Sequence, residues 1–282
     1  MTEPRAQEGS RAILIGTSRY DHSLDPIPAI AANITDLAEI LSGRGGAFTG
    51  TQCVTVTDPT RPSDVGDAVG LAAREATEVL LVYYAGHGLL DRKGRLHLAV
   101  TGSDPNRIRW TTVPFETLRE EILESPARVR VLILDCCFAG RAFEAMTDLP
   151  GLVGGQTELR GTYTIASSSA NEPSFAPLGE RNTAFTGAML AAAAEAPDGT
   201  LDELYEETER RLHRGGHSRP QRRRIDIAGE VRLFGRPGQE NKYRWAAEAG
   251  DTGAMTSLGY LLSERGEQVE AETWYQRAAD AG

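Results

Sequence analysis

Leu80-Leu81-Val82-Tyr83-Tyr84-Ala85-Gly86-His87-Gly88 and Val129-Arg130-Val131-Leu132-Ile133-Leu134-Asp135-Cys136-Cys137-Phe138-Ala139-Gly140 are two near-continuous apolar runs, each closed by a side chain able to do chemistry, His87 and Cys137. Apolar runs without alternation read as strands buried on both faces, the mark of a parallel sheet covered by helices. Ligands of an open parallel sheet sit outside the carboxyl ends of its strands, so His87 and Cys137, closing neighbouring strands, can meet over one substrate. A thiol nucleophile with an imidazole base in that position predicts peptide-bond chemistry.

Outward from these two runs, strand and helix alternate. Residues 11–16 read as a first strand, Pro26 and Pro28 mark a loop, and 33–42 carries helical apolar spacing through Ile34, Leu37, Ile40 and Leu41. A short strand at 53–57, a helix at 62–76 opened by Pro62-Ser63-Asp64, and the strand at 78–84 follow. A helix at 115–125, strands at 128–136 and 162–167, helices at 184–196 and 201–213, and a sixth strand at 228–234 complete the pattern. The prediction is an α/β three-layer sandwich on a mostly parallel six-stranded sheet over residues 11–236, preceded by a polar, disordered N-terminus at 1–10.

After Arg236-Pro237-Gly238 the chain turns to Ala-rich helix, and Tyr243-Arg244-Trp245-Ala246-Ala247-Glu248-Ala249-Gly250 is echoed by Trp274-Tyr275-Gln276-Arg277-Ala278-Ala279-Asp280-Ala281-Gly282. The period of about 32 residues is in the solenoid range. With Ala254-Met255-Thr256-Ser257-Leu258-Gly259-Tyr260-Leu261-Leu262 between the copies, residues 237–282 resemble Sel1-like members of the tetratricopeptide superfamily. A solenoid needs about three repeats to bury its own faces, which predicts a truncated array whose missing repeats recognise a protein partner. The alternative is a helical cap on the main domain.

Composition narrows the function. With 40% hydrophobic and 25% charged residues in 282, the chain is that of a globular protein. The polar N-terminus has no signal core and no stretch approaches the ~18 apolar residues of a membrane span, which predicts a cytoplasmic protein without membrane contact. Three cysteines, two of them adjacent, make no disulfide framework, and no Cys-x-x-Cys or His-x-x-x-His spacing offers a metal site. A net charge of -10 argues against nucleic acid as partner. The local exception is Arg210, Arg211, Arg214, Arg219, Arg222, Arg223 and Arg224, read as a solvated loop or else as a site for an anionic partner or regulatory cleavage. Gly43-Arg44-Gly45-Gly46 follows a helix and lacks the phosphate-loop pattern, against a nucleotide-binding domain.

Tyr84-Ala85-Gly86-His87-Gly88 and Asp135-Cys136-Cys137-Phe138-Ala139-Gly140, with Cys137 lying 50 residues after His87, closely resemble the caspase-like cysteine peptidases, and among them the metacaspase and bacterial caspase-homologue branch. The resemblance covers roughly residues 11–236 and takes in Ile165-Ala166-Ser167-Ser168-Ser169-Ala170 and Ala184-Phe185-Thr186. Metacaspases place the nucleophile third in an Asp-Ser-Cys-His-Ser-Gly segment, which implies Cys137 as nucleophile and puts Cys136 at the serine position, facing away and packing. His87 is then the base that later protonates the leaving amine. Gly88, without a side chain, lets the backbone approach the substrate, and its N–H with that of Cys137 forms an oxyanion hole worth about 3–4 kcal/mol per donor. Taken singly, His87 reads equally as a buried histidine ending a strand and Gly88 as a turn glycine. Cys53, within a strand, reads as a core thiol, and His22, His97, His213 and His217 have no comparable setting.

Metacaspases that cut after arginine or lysine line the pocket with carboxylates, and Asp135 and Asp36 stand where the resemblance places them, Asp36 at the head of the first helix. Ile30 falls near the position of a caspase pocket arginine. Cleavage after Arg, and less well Lys, follows from paired carboxylates. Two plainer readings stand beside it: Asp36 satisfies the helix dipole, and Asp135 is a structural acceptor. Arg19, after the first strand, is the cation that would oppose a basic substrate. Arg141 and Arg160, in the Gly-rich stretch 141–161, are candidate self-cleavage sites. Many metacaspases respond to calcium, but no calcium-loop pattern occurs and no cofactor or metal residue is assigned. The rival function is a catalytically silent scaffold acting through its repeats. A separase-like branch would share the dyad, and a role in bacterial defence rests on analogy.

Overall fold

A computed structural model describes residues 8–43, 46–139, 142, 161–167, 180–234, 239–248 and 250–281. The strands are β1 (Arg11–Gly16), β2 (Cys53–Thr57), β3 (Val79–Ala85), β4 (Gly88–Leu90), β5 (Leu96–Leu98), β6 (Val113–Pro114), β7 (Val129–Asp135), β8 (Thr162–Ala166) and β9 (Gln221–Arg224). Among the helices, α1 (Ala29–Ser42), α2 (Pro62–Glu75), the short α3 (Ile108–Thr111) and α4 (Phe115–Glu124) precede β7. After β8 come α5 (Ala184–Glu195), α6 (Leu201–Arg214), α7 (Gln239–Glu248), α8 (Thr252–Glu264) and α9 (Gln268–Ala281).

The central sheet runs β2-β1-β3-β7-β8-β9, all parallel except for β9 against β8. Every residue of β3 is buried, because both faces of the sheet are covered. Val131 and Ile133 look toward α1, α5 and α6, meeting Ile34, Leu37, Phe185 and Met189. Leu132 and Leu134 look the other way, toward Val65 and Val69 of α2 and Leu118 and Ile122 of α4. The expected three-layer α/β sandwich on a six-stranded sheet is therefore what forms. Since the chain leaves β1 for β2 on one side and returns to β3 on the other, a topological switch point opens at the carboxyl ends of β1 and β3.

Three elements depart from expectation. The sixth strand is not 228–234 but β9, and it is antiparallel. Residues 226–230 make a 3-10 turn, and the chain beyond it spends its backbone groups elsewhere: Leu201 N–H donates to the Val231 carbonyl at 2.9 Å and Ala47 N–H to that of Leu233 at 3.1 Å. Of the arginines expected on a loop, Arg222, Arg223 and Arg224 lie on this edge strand, whereas Arg210, Arg211 and Arg214 lie on α6. Their charge is absorbed by α6, where Asp202 pairs with Arg222 (2.9 Å) and Arg224, Glu206 with Arg222 (3.5 Å), and Glu207 with Arg210 (2.8 Å). A charged edge also blunts pairing with another chain. Finally, β4, β5 and β6 form a small antiparallel sheet after β3 that was not foreseen, its strands being too short to show a period.

Helices α7, α8 and α9 share a core of their own, built from Ala247, Met255, Leu258, Leu262, Ala271 and Trp274. No helix among the described residues is long and apolar enough to cross a membrane.

Asp202 anchors β9 through Arg222 and Arg224 and also accepts from the Tyr163 hydroxyl at 3.0 Å. Asp202→Ala should cost about 1–3 kcal/mol in urea denaturation and speed hydrogen exchange along β9. Unchanged exchange there would mean that the backbone ladder alone holds the strand.

Candidate active site

His87 lies two residues beyond β3 and Cys137 two beyond β7. The ladder between these strands ends on the pair Ala85 and Asp135, and Gly86 N–H extends it by donating to the Asp135 carbonyl at 3.3 Å. Equal spacing beyond one rung brings His87 and Cys137 to neighbouring places at the carboxyl edge of the sheet, next to the switch point. Gly88 seals the junction: a Cβ there would stand 2.0 Å from the Cys137 carbonyl oxygen, so the turn carrying Cys137 uses space that only glycine leaves.

The half-buried His87 ring is held from one side. Its Nε2 lies 2.8 Å from the Asp25 carbonyl oxygen. A carbonyl only accepts, so Nε2 carries the proton and the neutral ring keeps its lone pair on Nδ1. The Tyr20 ring sits 4.9 Å from the imidazole, and its hydroxyl accepts from His87 N–H at 2.9 Å while donating to the Thr17 carbonyl at 2.9 Å. The Tyr84 hydroxyl reaches the carbonyls of His87 (3.0 Å) and Ala99 (2.7 Å). Burial pushes both phenols above their ordinary range, so both stay protonated and able to donate. Tyr20 and Asp25 escaped the sequence reading. The signal for Tyr20 was its place beyond the first strand, whereas a backbone carbonyl leaves none.

The cysteines divide by strand parity. Cys136 is fully buried among Leu132 and Leu134, and burial, then the neighbouring Cys137, pushes its thiol well up. Cys137 is half-buried in the turn, which closes on Phe138 with φ 59°, a left-handed backbone that non-glycine residues seldom adopt. Cys53 is also half-buried and packs against the core, and burial pushes its thiol up to about 11.

The β4–β5 ladder settles where Gly88 N–H points. Ala99 N–H donates to the His87 carbonyl at 3.0 Å, so 87 and 99 form a hydrogen-bonded pair and the next pair, Gly88 and Leu98, is a non-bonded one. The Gly88 N–H is thus directed away from β5.

Both expected pocket acids are buried. Asp36 is not at the head of the first helix, since α1 begins at Ala29 behind Pro28; it lies beyond the second turn, where the helix dipole offers nothing. The apolar repeat had one more member than 33–42 included, Ile30, which is buried in the core. Asp36 is instead gripped by Arg181, whose Nε and Nη2 donate at 2.9 and 2.7 Å, and by Asn182 Nδ2 at 3.1 Å. Asp135 Oδ2 accepts from the hydroxyls of Thr183 (2.5 Å) and Thr186 (2.7 Å). Asn33 supports the Asp135 side, donating to Thr183 Oγ1 at 2.9 Å and to the Tyr83 hydroxyl at 3.2 Å. Arg181, Asn182 and Thr183 were not singled out from sequence. Arg19 is tied to Asp58 at 3.1 Å, and its side chain stays 76% exposed. Arg141 and Arg160 lie outside the described residues.

The model of the caspase domain matches residues 10–231. No curated protein matches the chain. Among solved structures, caspase-1 from Spodoptera frugiperda is similar at 14% identity, with 82% of this chain and 93% of that one covered and a TM-score of 0.57, a likeness of fold.

The three thiols should react unequally. Limiting iodoacetamide at neutral pH is expected to give one adduct, on Cys137, because Cys136 is enclosed and Cys53 holds its proton. Peptide mapping that finds the first adduct on either of the others would sink Cys137 as the reactive residue.

Proposed function

This chain belongs to the caspase-domain family of cysteine peptidases, and on that premise we propose that it is an endopeptidase with Cys137 as nucleophile and His87 as base. The observation that carries the reading is the β3–β7 register, which sets the two residues equally far beyond the Ala85–Asp135 rung. Nδ1 of His87, left with its lone pair by the Asp25 carbonyl, takes the thiol proton as sulfur attacks the substrate carbonyl. The oxyanion forms against the N–H groups of Gly88 and Cys137, the former unused by the β4–β5 ladder. Collapse expels the amine, which takes its proton from His87, and water then hydrolyses the thioester. Tyr20 is a positioning residue in this scheme, since it touches His87 and not the reacting atoms.

The proposed preference is for a substrate with Arg, or less well Lys, before the cut bond. Its support is chemical: two carboxylates, Asp36 and Asp135, are buried and are met by the successive residues Arg181, Asn182 and Thr183, and Asp135 stands two residues before Cys137. A guanidinium fork matches such acceptors better than an ammonium does. Placement in the metacaspase branch and self-cleavage at Arg141 or Arg160 belong to the same proposal. The Sel1-like segment is proposed to engage a protein partner, and Tyr260 and Val269, exposed on α8 and α9, are the side chains it offers.

Release of fluorophore from Arg, Lys and Asp peptides, by the chain and by Cys137→Ala, tests this reading. Cleavage after Arg that disappears with Cys137 is expected, whereas preference for Asp would overturn the acidic pocket and activity surviving in Cys137→Ala the nucleophile. Gly88→Ala, which drives a methyl into the Cys137 carbonyl, should lower kcat by about 100-fold or more while far-UV circular dichroism is retained. Undiminished turnover would dismiss Gly88 from the oxyanion site.

A further inference from the structure

Asp36 is fully buried, yet the cation on it is not: the Arg181 side chain is 34% exposed, so Arg181 lies over Asp36 as a cover rather than beside it as a core partner. Its two-pronged contact is the one a substrate arginine would make with the same carboxylate. The outer side of Arg181 faces a cavity of about 470 Å³ walled by Ala29 and Ala32 of α1, by Glu248 of α7 and by Trp274 of α9. Its wall also carries Glu180, Glu270, Arg244 and Arg277, so charges of both signs face Arg181 there.

The residue before Arg181 is held from the C-terminal helices. Glu180 pairs with Arg277 of α9 at 3.5 Å, and Arg277 in turn stacks 4.4 Å from the Trp274 ring. Arg244 of α7 is locked to Glu270 of α9, so the two helices present their charges to this wall as one unit. Burial, then Glu180, pushes the Glu248 carboxyl up to about 7, and Arg181 is the first cation that pulls it back. The acids of α7 and α9 therefore favour Arg181 where it stands.

We propose that Arg181 is a built-in surrogate for the substrate's basic side chain, kept on Asp36 by the docked helices α7 and α9, so that undocking them frees Asp36 for substrate. The proposal rests on the reading of Asp36 as part of a pocket for Arg or Lys. A site competent only when its latch is open binds more weakly by the fraction of time it is open, so a latch open about 1% of the time weakens apparent affinity about 100-fold.

The test is KM for an Arg peptide in the full chain, in Arg181→Ala and in Arg277→Glu, which turns the contact with Glu180 into repulsion. KM should fall at least about tenfold in Arg181→Ala and in the same direction, by less, in Arg277→Glu. In parallel, calorimetry with agmatine on the Cys137→Ala background reads the pocket without catalysis: binding is expected once Arg181→Ala is added, and none without it. KM unchanged or raised in Arg181→Ala, with no agmatine bound, would overturn the latch and leave Arg181 a structural partner of Asp36. If that variant fails to fold, Arg277→Glu decides alone, an unchanged KM overturning the coupling. Failure of the underlying reading looks different: Asp peptides cut by every form, and Arg peptides by none.

Discussion

The parallel pairing of β3 with β7 is the constraint on which the rest of the site depends. A parallel ladder fixes how far two chain segments advance together, and here its last rung leaves both strands two residues short of a reactive side chain. What lies beyond that rung has no ladder to hold it, so other forces must. On the His87 side these are the Tyr20 and Tyr84 hydroxyls and the Asp25 carbonyl, and on the Cys137 side the tight backbone contact that Gly88 permits. Tyr20 and Asp25 reach the site from the loop after β1, and Tyr84 and Gly88 from the β3–β4 segment itself.

Burying Asp36 and Asp135 near one another sets a second problem, since a carboxylate out of water must be met by donors. Asp135 is met by neutral ones, and the proton directions all run toward it: Asn33 to Thr183 to Asp135, and Asn33 to Tyr83 to Thr186 to Asp135. Asp36 is met by a full positive charge. The difference is one of donor type: hydroxyl protons meet Asp135, whereas Arg181 sets a guanidinium fork on Asp36. Buried ion pairs add little net stability, so the bidentate grip is better understood as an arrangement for selecting what Asp36 meets.

The legible parts of this chain were those written in side-chain periodicity and in strand-end residues. The near-continuous apolar runs at 80–85 and 129–134 mark the parallel strands and, with them, the places of His87 and Cys137. The sixth strand was misplaced because Val231 and Leu233 look like strand residues, while Gln221–Arg224 carries three arginines whose compensating acids, Asp202 and Glu206, sit on a helix some twenty residues upstream. A pairing of that kind becomes visible only in space. The same holds for Arg181: nothing in Glu180-Arg181-Asn182-Thr183 announces that three successive side chains reach two acids about 145 and 48 positions away.

Strand parity explains how two adjacent cysteines come to have opposite fates. On β7 alternate residues face α1 and α5 or face α2 and α4, and that alternation continues one step past the strand, sending Asp135 to the first side and Cys136 to the second. Cys136 is thereby enclosed, and burial keeps its thiol protonated. The turn at Phe138, in left-handed backbone, then takes the chain away from the sheet at the residue after Cys137, leaving that thiol half-buried at the carboxyl edge of the sheet. A β-branched residue at 138 would resist that backbone, so the turn limits sequence here as firmly as the chemistry does. One residue of register separates a fully buried core thiol from a half-buried one, and the ladder that fixes the register is the same one that brings His87 alongside.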